Sequence, residues 1–406
     1  MKAVIYGAGN IGRGFIGEIF SKSGYDLCFI DVANHIIDAL NSEGRYPIRI
    51  LAENESKDIW IQGLSAINGR NEEEAALAIA SADIMATAVG VRALPLIAPI
   101  IAAGLKKRFA HNKGPLNINI CENLMNANKI LEGLIKDHLS SKDKKSFNEH
   151  IGLVEASIGR MVPLQTVEMQ DGNFLRVCVE PYVFLPVDKT AFKGEIPTIT
   201  GLIPFENFDF YIKRKLFIHN MGHGICAYFG LLHGDIFIHE SVRHSGILYI
   251  AQNAMMESAV ALSAKYQMPL ADLHHHIRDL LRRFSNMALG DTCARVAADP
   301  ARKLGNSDRF IGALRFCVKE NQATAFISAG CSAAIYHYLK ENNIPQTCDN
   351  ARKALIEVSG LNEADLFIME KILQFHAMLA PLSQSGDFER NIDKIIEKII
   401  STASII

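Results

Sequence analysis

The stretch Arg214-Lys215-Leu216-Phe217-Ile218-His219-Asn220-Met221-Gly222-His223-Gly224 brings an amine, a neutral amide and an imidazole close together. Those groups suit alcohol–ketone interconversion, which needs a base for the hydroxyl proton and donors for a developing oxyanion. Wound as an α-helix at about 100° per residue, the stretch sets Asn220 about 140° and His223 about 80° from Lys215, so the three share one broad face. A lysine pointed into a desolvated cleft has a lowered pKa and can act as general base. Asparagine offers neutral N–H donors to an oxyanion. On spacing alone, a surface lysine beside core-satisfied polar groups fits equally well.

Such chemistry also needs a hydride acceptor. Gly7-Ala8-Gly9-Asn10-Ile11-Gly12 follows a short, largely apolar run, Lys2 to Tyr6, and opens a helical stretch from about Ile11 to Ser23. In a G-x-G-x-x-G turn the first glycine permits the bend, the second admits a pyrophosphate, and the third lets helix and strand pack closely. The helix start then offers N–H groups and a positive dipole end to phosphates. Asp31 closes the next apolar run nineteen residues after Gly12, where an acidic residue binds the adenosine ribose. A carboxylate there repels a 2′-phosphate, which predicts NAD(H) over NADP(H). Thr87-Ala88-Val89-Gly90 ends a later strand, and small residues at a strand's carboxyl end permit cofactor approach. The expected cofactor set is Gly7, Gly9, Asn10, Ile11, Gly12, Asp31, Thr87, Val89 and Gly90, with Gly14 and Gly17 assigned to helix packing on the sheet.

The elements that position these groups alternate. Apolar runs at Leu27–Ile30, Tyr46–Leu51, Asp58–Gln62, Ile84–Val89 and Leu116–Cys121 read as strands. Helical patterns fill the stretch up to Asn41, Glu72–Ala82 and Leu94–Leu105. This predicts an α/β Rossmann-type domain with a parallel sheet. Leu175 to Val187 reads as a β extension, and from Tyr211 onward the pattern is mainly α-helical. The expected division is a dinucleotide-binding domain over 1–198 and a helical substrate-binding domain over 199–406. The apolar stretch Ile396 to Ile406 is expected to dock on the core or a partner.

With 42 basic and 44 acidic residues, net charge −2, nothing points to nucleic acid or an anionic membrane. No apolar run is long enough to span a bilayer, and the first residues lack a signal peptide's features. A cytoplasmic protein is expected. The eight cysteines form no C-x-x-C pair. His274-His275-His276 cannot chelate one ion from a helix, and His233, His239 and His244 are scattered, so no metal is expected.

Lys215-x-x-x-x-Asn220-x-x-His223 resembles the signature of the polyol-specific long-chain dehydrogenases, the mannitol dehydrogenase family. The likeness continues through Lys2-Ala3, Gly7 to Gly17 (GAGNIGRGFIG), Thr87 to Gly90 (TAVG), Pro115 to Leu124 (PLNINICENL), Lys213 to Gly224 and Arg302 to Arg309 (RKLGNSDR). It implies metal-independent hydride transfer between NAD(H) and a secondary carbinol, with D-mannitol 1-phosphate and D-fructose 6-phosphate as the pair. The resemblance implies Lys215 as acid/base, Asn220 and Asn123 holding the reacting oxygen, and His223 contacting substrate. Arg295, Arg302, Lys303 and Arg309 fall where the family binds the far end of its substrate, and guanidinium groups suit a phosphate. The family's Asp-Arg pair before a proline turn here reads Gly159-Arg160-Met161-Val162-Pro163, so Arg160, a further substrate-binding candidate, lacks its carboxylate neighbour. That departure bears on substrate identity and leaves a dehydrogenase of a free polyol or hexuronate as an alternative; a second, an inactive NAD-sensing protein, has Lys215, Asn220 and His223 against it. The resemblance implies a monomer or weak homo-oligomer.

Overall fold

Ala3, Val4, Ile5 and Tyr6 are all buried, as expected where a parallel strand is covered on both faces. They form β1 (Lys2–Tyr6) in the computed structural model, which describes residues 1–53, 55–382 and 388–403. The other strands are β2 (Asp26–Asp31), β3 (Arg45–Leu51), β4 (Ser56–Gln62), β5 (Leu64–Asn68), β6 (Ile84–Thr87), β7 (Leu116–Ile120), β8 (Ile151–Glu155), β9 (Val177–Val179), β10 (Leu185–Asp188) and β11 (Leu202–Phe205). A six-stranded, all-parallel sheet runs β5-β2-β1-β6-β7-β8. Alternate side chains serve its two faces. Ala3 and Ile5 join Phe15, Ile19 and Phe29 on one, while Val4 and Tyr6 join Ile79, Leu94 and Ile101 on the other.

This is the Rossmann-type arrangement expected, with two differences in strand membership. β5 and β8, the two edges of the main sheet, were not singled out from the sequence. β3 and β4 leave that sheet and pair with β9 in a separate three-stranded one. The β extension thus recruits residues from before and after the central strands. Trp60, on β4, is 45% exposed, with the Arg45 guanidinium over its ring at 4.6 Å.

The chain divides into two compact units, Met1–Tyr211 and Ile212–Ile406. The second is helical, and among the described residues no strand follows β11. Its helix Met221–His233 packs closely because glycines replace side chains. A Cβ on Gly330, in the helix Ala325–Glu341, would meet Ile225 at 2.5 Å. Ile395 and Ile399 of the helix Phe388–Ala403 are buried, while residues 404–406 of the apolar C-terminal stretch lie outside the described residues. Among the described residues no helix is long and apolar enough to cross a membrane.

A carboxylate caps the start of Ala325–Glu341 from inside the core. Glu257, on the long helix Ser245–Tyr266, accepts from Phe326 N–H at 3.0 Å and Ile327 N–H at 2.9 Å. Burial pushes its pKa from the ordinary 4.5 to about 7, against the pull of those N–H groups and Lys371. An acid with a raised folded-state pKa holds its proton more tightly when folded. Its contribution to stability is therefore complete below about 4.5 and is lost as pH rises to about 7. Chemical denaturation should show this contribution falling by about 3 kcal/mol over that window, with the fall absent in Glu257→Gln.

Candidate active site

In the strand order, the chain winds outward in one direction through β2 and β5 and in the other through β7 and β8, so the reversal lies between β1 and β6. Open α/β sheets bind ligands outside the carboxyl ends of strands at such a switch. The Gly7–Gly12 turn leaves β1 at this point. Gly7 sits at φ 108°, and a Cβ there would collide with the Ala88 carbonyl that follows β6. A Cβ at Gly12 would collide with the Gly7 carbonyl. At Gly9, by contrast, nothing lies within 4 Å of an added Cβ. Two glycines therefore allow the turn to close, and the third faces open space at a helix start, with half-buried Asn10 and Ile11 beside it. That geometry fits a dinucleotide pyrophosphate.

Asp31 fastens the turn. Its Oδ2 accepts from Ala8 N–H at 2.6 Å, and its Oδ1 from the N–H groups of Val32 and Ala33 at 2.7 and 3.0 Å. A carboxylate has roughly four acceptor positions, so room for about one ribose hydroxyl is left. Across the switch, Glu122 accepts from Val89 N–H at 3.0 Å and Gly90 N–H at 2.8 Å. Burial raises the Glu122 pKa, against the N–H groups and Thr87 that stabilise its charge. The bend at Gly90, φ 86°, is thereby locked, with Thr87 buried before it and space where a Cβ would stand. Glu122 was missed from the sequence, because its role depends on pairing between adjacent strands. Asn123 follows it in an exposed bend.

The first helix is wound as a π-helix over Gly12–Gly17, all buried. Its i→i+5 pattern leaves carbonyls to be met from elsewhere. Tyr46 Oη donates to Arg13 O at 2.8 Å, and Arg160 Nη1 donates to Gly14 O at 3.1 Å. Gly14 faces Val177 of β9, and Gly17 faces Tyr46 of β3. Gly14 therefore packs on the extension sheet, while Gly17 also meets Phe29 of β2 and so touches both sheets. Arg13 itself reaches back to Ala8 O at 2.7 Å.

Arg160 is not without a carboxylate. It pairs with Glu18, its Nε donates to Glu180 O at 2.8 Å, and its guanidinium lies over the Phe15 ring at 5.4 Å. Glu18 is buried and also holds Lys22 at 2.6 Å. The partner expected at position 159 thus comes from the first helix. A Cβ at 159 would stand 3.3 Å from the Tyr182 ring, a tight but not forbidden contact. With its side chain fully buried, Arg160 holds the first helix in this structure.

In the second unit, Lys215–Asn220 forms another π-helical segment, between the helices Phe208–Arg214 and Met221–His233. This corrects the α-helical reading. Because i→i+5 bonding stacks residues five apart, Lys215 and Asn220 fall one turn apart on nearly the same side, closer than about 140°. Both are half-buried. The His223 ring stacks on Phe284, centroids 4.5 Å apart and planes at 11°. Its Nε2 lies 3.2 Å from Asp291 Oδ2. Burial alone would raise the Asp291 pKa, but His223 and Arg295 outweigh it and hold the carboxyl low. His219, one residue from Asn220, is kept neutral by burial first and by Arg283 next.

The four candidate phosphate cations differ. Arg309 is buried, with Nη1 at 3.5 Å from Asn220 O and Nε at 2.9 Å from Asp308. Arg302 is half-exposed on Asp299 and Asp308. Arg295 grips Asp291 with two bonds of 2.7 Å. The Lys303 ammonium donates to the carbonyls of Val296 and Ala298, and burial, then Arg309 and Arg302, brings its pKa down to about 8. Arg309 is thus beside the π turn, and all four cations hold partners within the chain. Nothing in their spacing separates the four.

Residues 1–201 match the mannitol dehydrogenase Rossmann domain, and residues 207–398 match the mannitol dehydrogenase C-terminal domain. A protein of Brevibacillus brevis named mannitol-1-phosphate 5-dehydrogenase is 35% identical over 87% of this chain and 89% of its own. One of the same name from Geobacillus thermodenitrificans is 38% identical over 77% of this chain and 80% of its own. In fold, the chain matches mannitol 2-dehydrogenase of Pseudomonas fluorescens, solved with NAD and D-mannitol. The TM-score is 0.76 at 14% identity, covering 98% of this chain and 94% of that one. A D-sorbitol dehydrogenase matches with TM-score 0.78 at 13% identity, covering 97% and 95%.

Arg160→Met should lower stability by about 3–5 kcal/mol, because Glu18 is left buried without its main partner. Adding Glu18→Met should recover most of that loss in urea melts. A direct substrate role would instead raise KM and leave stability unchanged.

Proposed function

The chain belongs to the mannitol dehydrogenase family and is a sugar-alcohol dehydrogenase; from that premise we propose that it interconverts D-mannitol 1-phosphate and D-fructose 6-phosphate with NAD(H). The observation that carries this reading is the name shared by two relatives that are 35% and 38% identical over most of the chain. NAD, when bound, supplies the hydride acceptor. Gly7, Gly9, Asn10, Ile11 and Gly12 cradle its pyrophosphate, Asp31 disfavours a 2′-phosphate, and Thr87, Val89 and Gly90 line the approach.

In the oxidation direction, neutral Lys215 Nζ takes the C5 hydroxyl proton as hydride leaves the same carbon. In reduction its ammonium returns the proton to the ketone oxygen. Asn220 donates to that oxygen as its charge develops. His223, braced by Phe284 and Asp291, orients the polyol. Arg309 and Arg302 are the cations assigned to the phosphate, with Arg295 held on Asp291 and Lys303 on the Val296 carbonyl. The Glu18–Arg160 pair supplies a carboxylate that position 159 lacks, which weakens the case for a free polyol or hexuronate. The eight cysteines are free and seven are buried, which supports a reducing, cytoplasmic setting. The family resemblance supports a monomer or weak homo-oligomer.

The test is NADH consumption with D-fructose 6-phosphate, D-fructose and a hexuronate in parallel. Robust turnover of the phosphate ester alone is expected, at much lower efficiency with NADPH. Activity with either unphosphorylated compound and none with the ester would overturn the substrate assignment.

A further inference from the structure

Although separated in sequence, His233 and His244 come together in the fold around Asp235. His233 ends the helix Met221–His233, Gly234 turns the chain at φ 107°, and His244 precedes the helix Ser245–Tyr266. Asp235 Oδ1 lies 2.7 Å from His233 Nδ1 and 3.3 Å from His244 Nε2. One donor atom from each of the three residues lies within 4.8 Å of the others. The imidazole centroids are 3.9 Å apart, with planes at 50°. His239 stays outside this group and stacks on Phe237.

Two features point to a ligand rather than to a simple ion pair. The Asp235 side chain is 7% exposed, and its second oxygen, Oδ2, is buried with no hydrogen-bond partner. Nδ1 of His233 and Nε2 of His244 also converge on the same carboxylate oxygen, an arrangement of three ligand-type atoms. A divalent cation held by these three residues accounts for the convergence and gives the carboxylate a charged partner. Two imidazole nitrogens and one carboxylate oxygen are ordinary ligands for zinc and its neighbours, at about 2.0–2.2 Å. The site also stands at a helix carboxyl end, where the backbone dipole favours a cation. Phe388 meets the His233 ring edge-on at 5.0 Å and forms an apolar wall.

We infer that His233, Asp235 and His244 bind one divalent transition-metal ion of the zinc and cobalt class. The ion clamps the end of the helix that carries His223 to the start of Ser245–Tyr266. It lies ten residues along that helix from His223, or about 15 Å, so its role is structural and separate from hydride transfer.

The chelator-treated, full-length protein is titrated with Co(II), followed by visible absorption, and with Zn(II) by calorimetry. One ion per chain is expected, with the ligand-field bands of imidazole coordination. Zn(II) at a hundredfold excess over its dissociation constant should raise Tm by about 5–10 °C. His233→Ala, His244→Ala and Asp235→Asn should each weaken binding by at least about 100-fold. The near-isosteric Asp235→Asn, checked by circular dichroism, separates ligand loss from misfolding. Turnover should stay within about twofold with or without metal. The inference fails if Co(II) binding does not saturate, or if Asp235→Asn and both histidine variants bind as the parent does. Loss of turnover on metal removal would overturn the structural role.

Discussion

The Gly7 carbonyl occupies the space that a side chain at position 12 would need. That crowding forces the first helix to start directly against the end of β1. It sets the turn at the switch between β1 and β6 and leaves Gly9 facing open space. The same closeness leads into the π winding of Gly12–Gly17 and the demands it makes. Carbonyls released from the α pattern must be met by buried donors, and Tyr46 and Arg160 meet two of them. Gly14 and Gly17 bring Val177 and Tyr46 of the extension sheet against the helix. The extension thus packs on the helix through these two glycines. Hydrogen bonds to charged groups contribute about 1.5–3 kcal/mol each, so the Arg13 and Arg160 contacts weigh heavily in keeping the turn in one conformation.

The second unit solves its own positioning problem with the same kind of winding. A π segment over Lys215–Asn220 puts the amine and the amide one turn apart, and the helix returns to α geometry before His223. Each polar group is then braced from behind. Asp291 and Phe284 fix the imidazole, Arg295 fixes Asp291, and Arg309 lies against the main chain at Asn220. Neutral His219 sits inside the same turn and adds no second positive charge beside Lys215.

Much of this was legible from residue type and spacing. The glycine turn, Asp31 and the alternation of runs gave the sheet, because a strand buried on both faces must be apolar throughout. The edge strands β5 and β8 escaped, since Ser65, Asn68 and Gly152 interrupt their apolar pattern. The π segments escaped because one extra residue per turn has no compositional mark. Pairs such as Glu18–Arg160, 142 residues apart, and Glu122 with Val89 exist only once the chain is folded. Gly159 looked like a missing carboxylate, when the fold supplies one from elsewhere.

In the proposed mechanism Lys215, set by the π turn, moves the proton in step with hydride. The most direct measurement is turnover of Lys215→Ala in the presence of small primary amines. Without amine, kcat should fall by about 10²–10⁴-fold while NADH still binds. Added amine should restore turnover in proportion to its concentration and in an order that follows its basicity. A variant that keeps near-parental turnover, or that binds NADH and substrate but ignores every amine, would contradict the account.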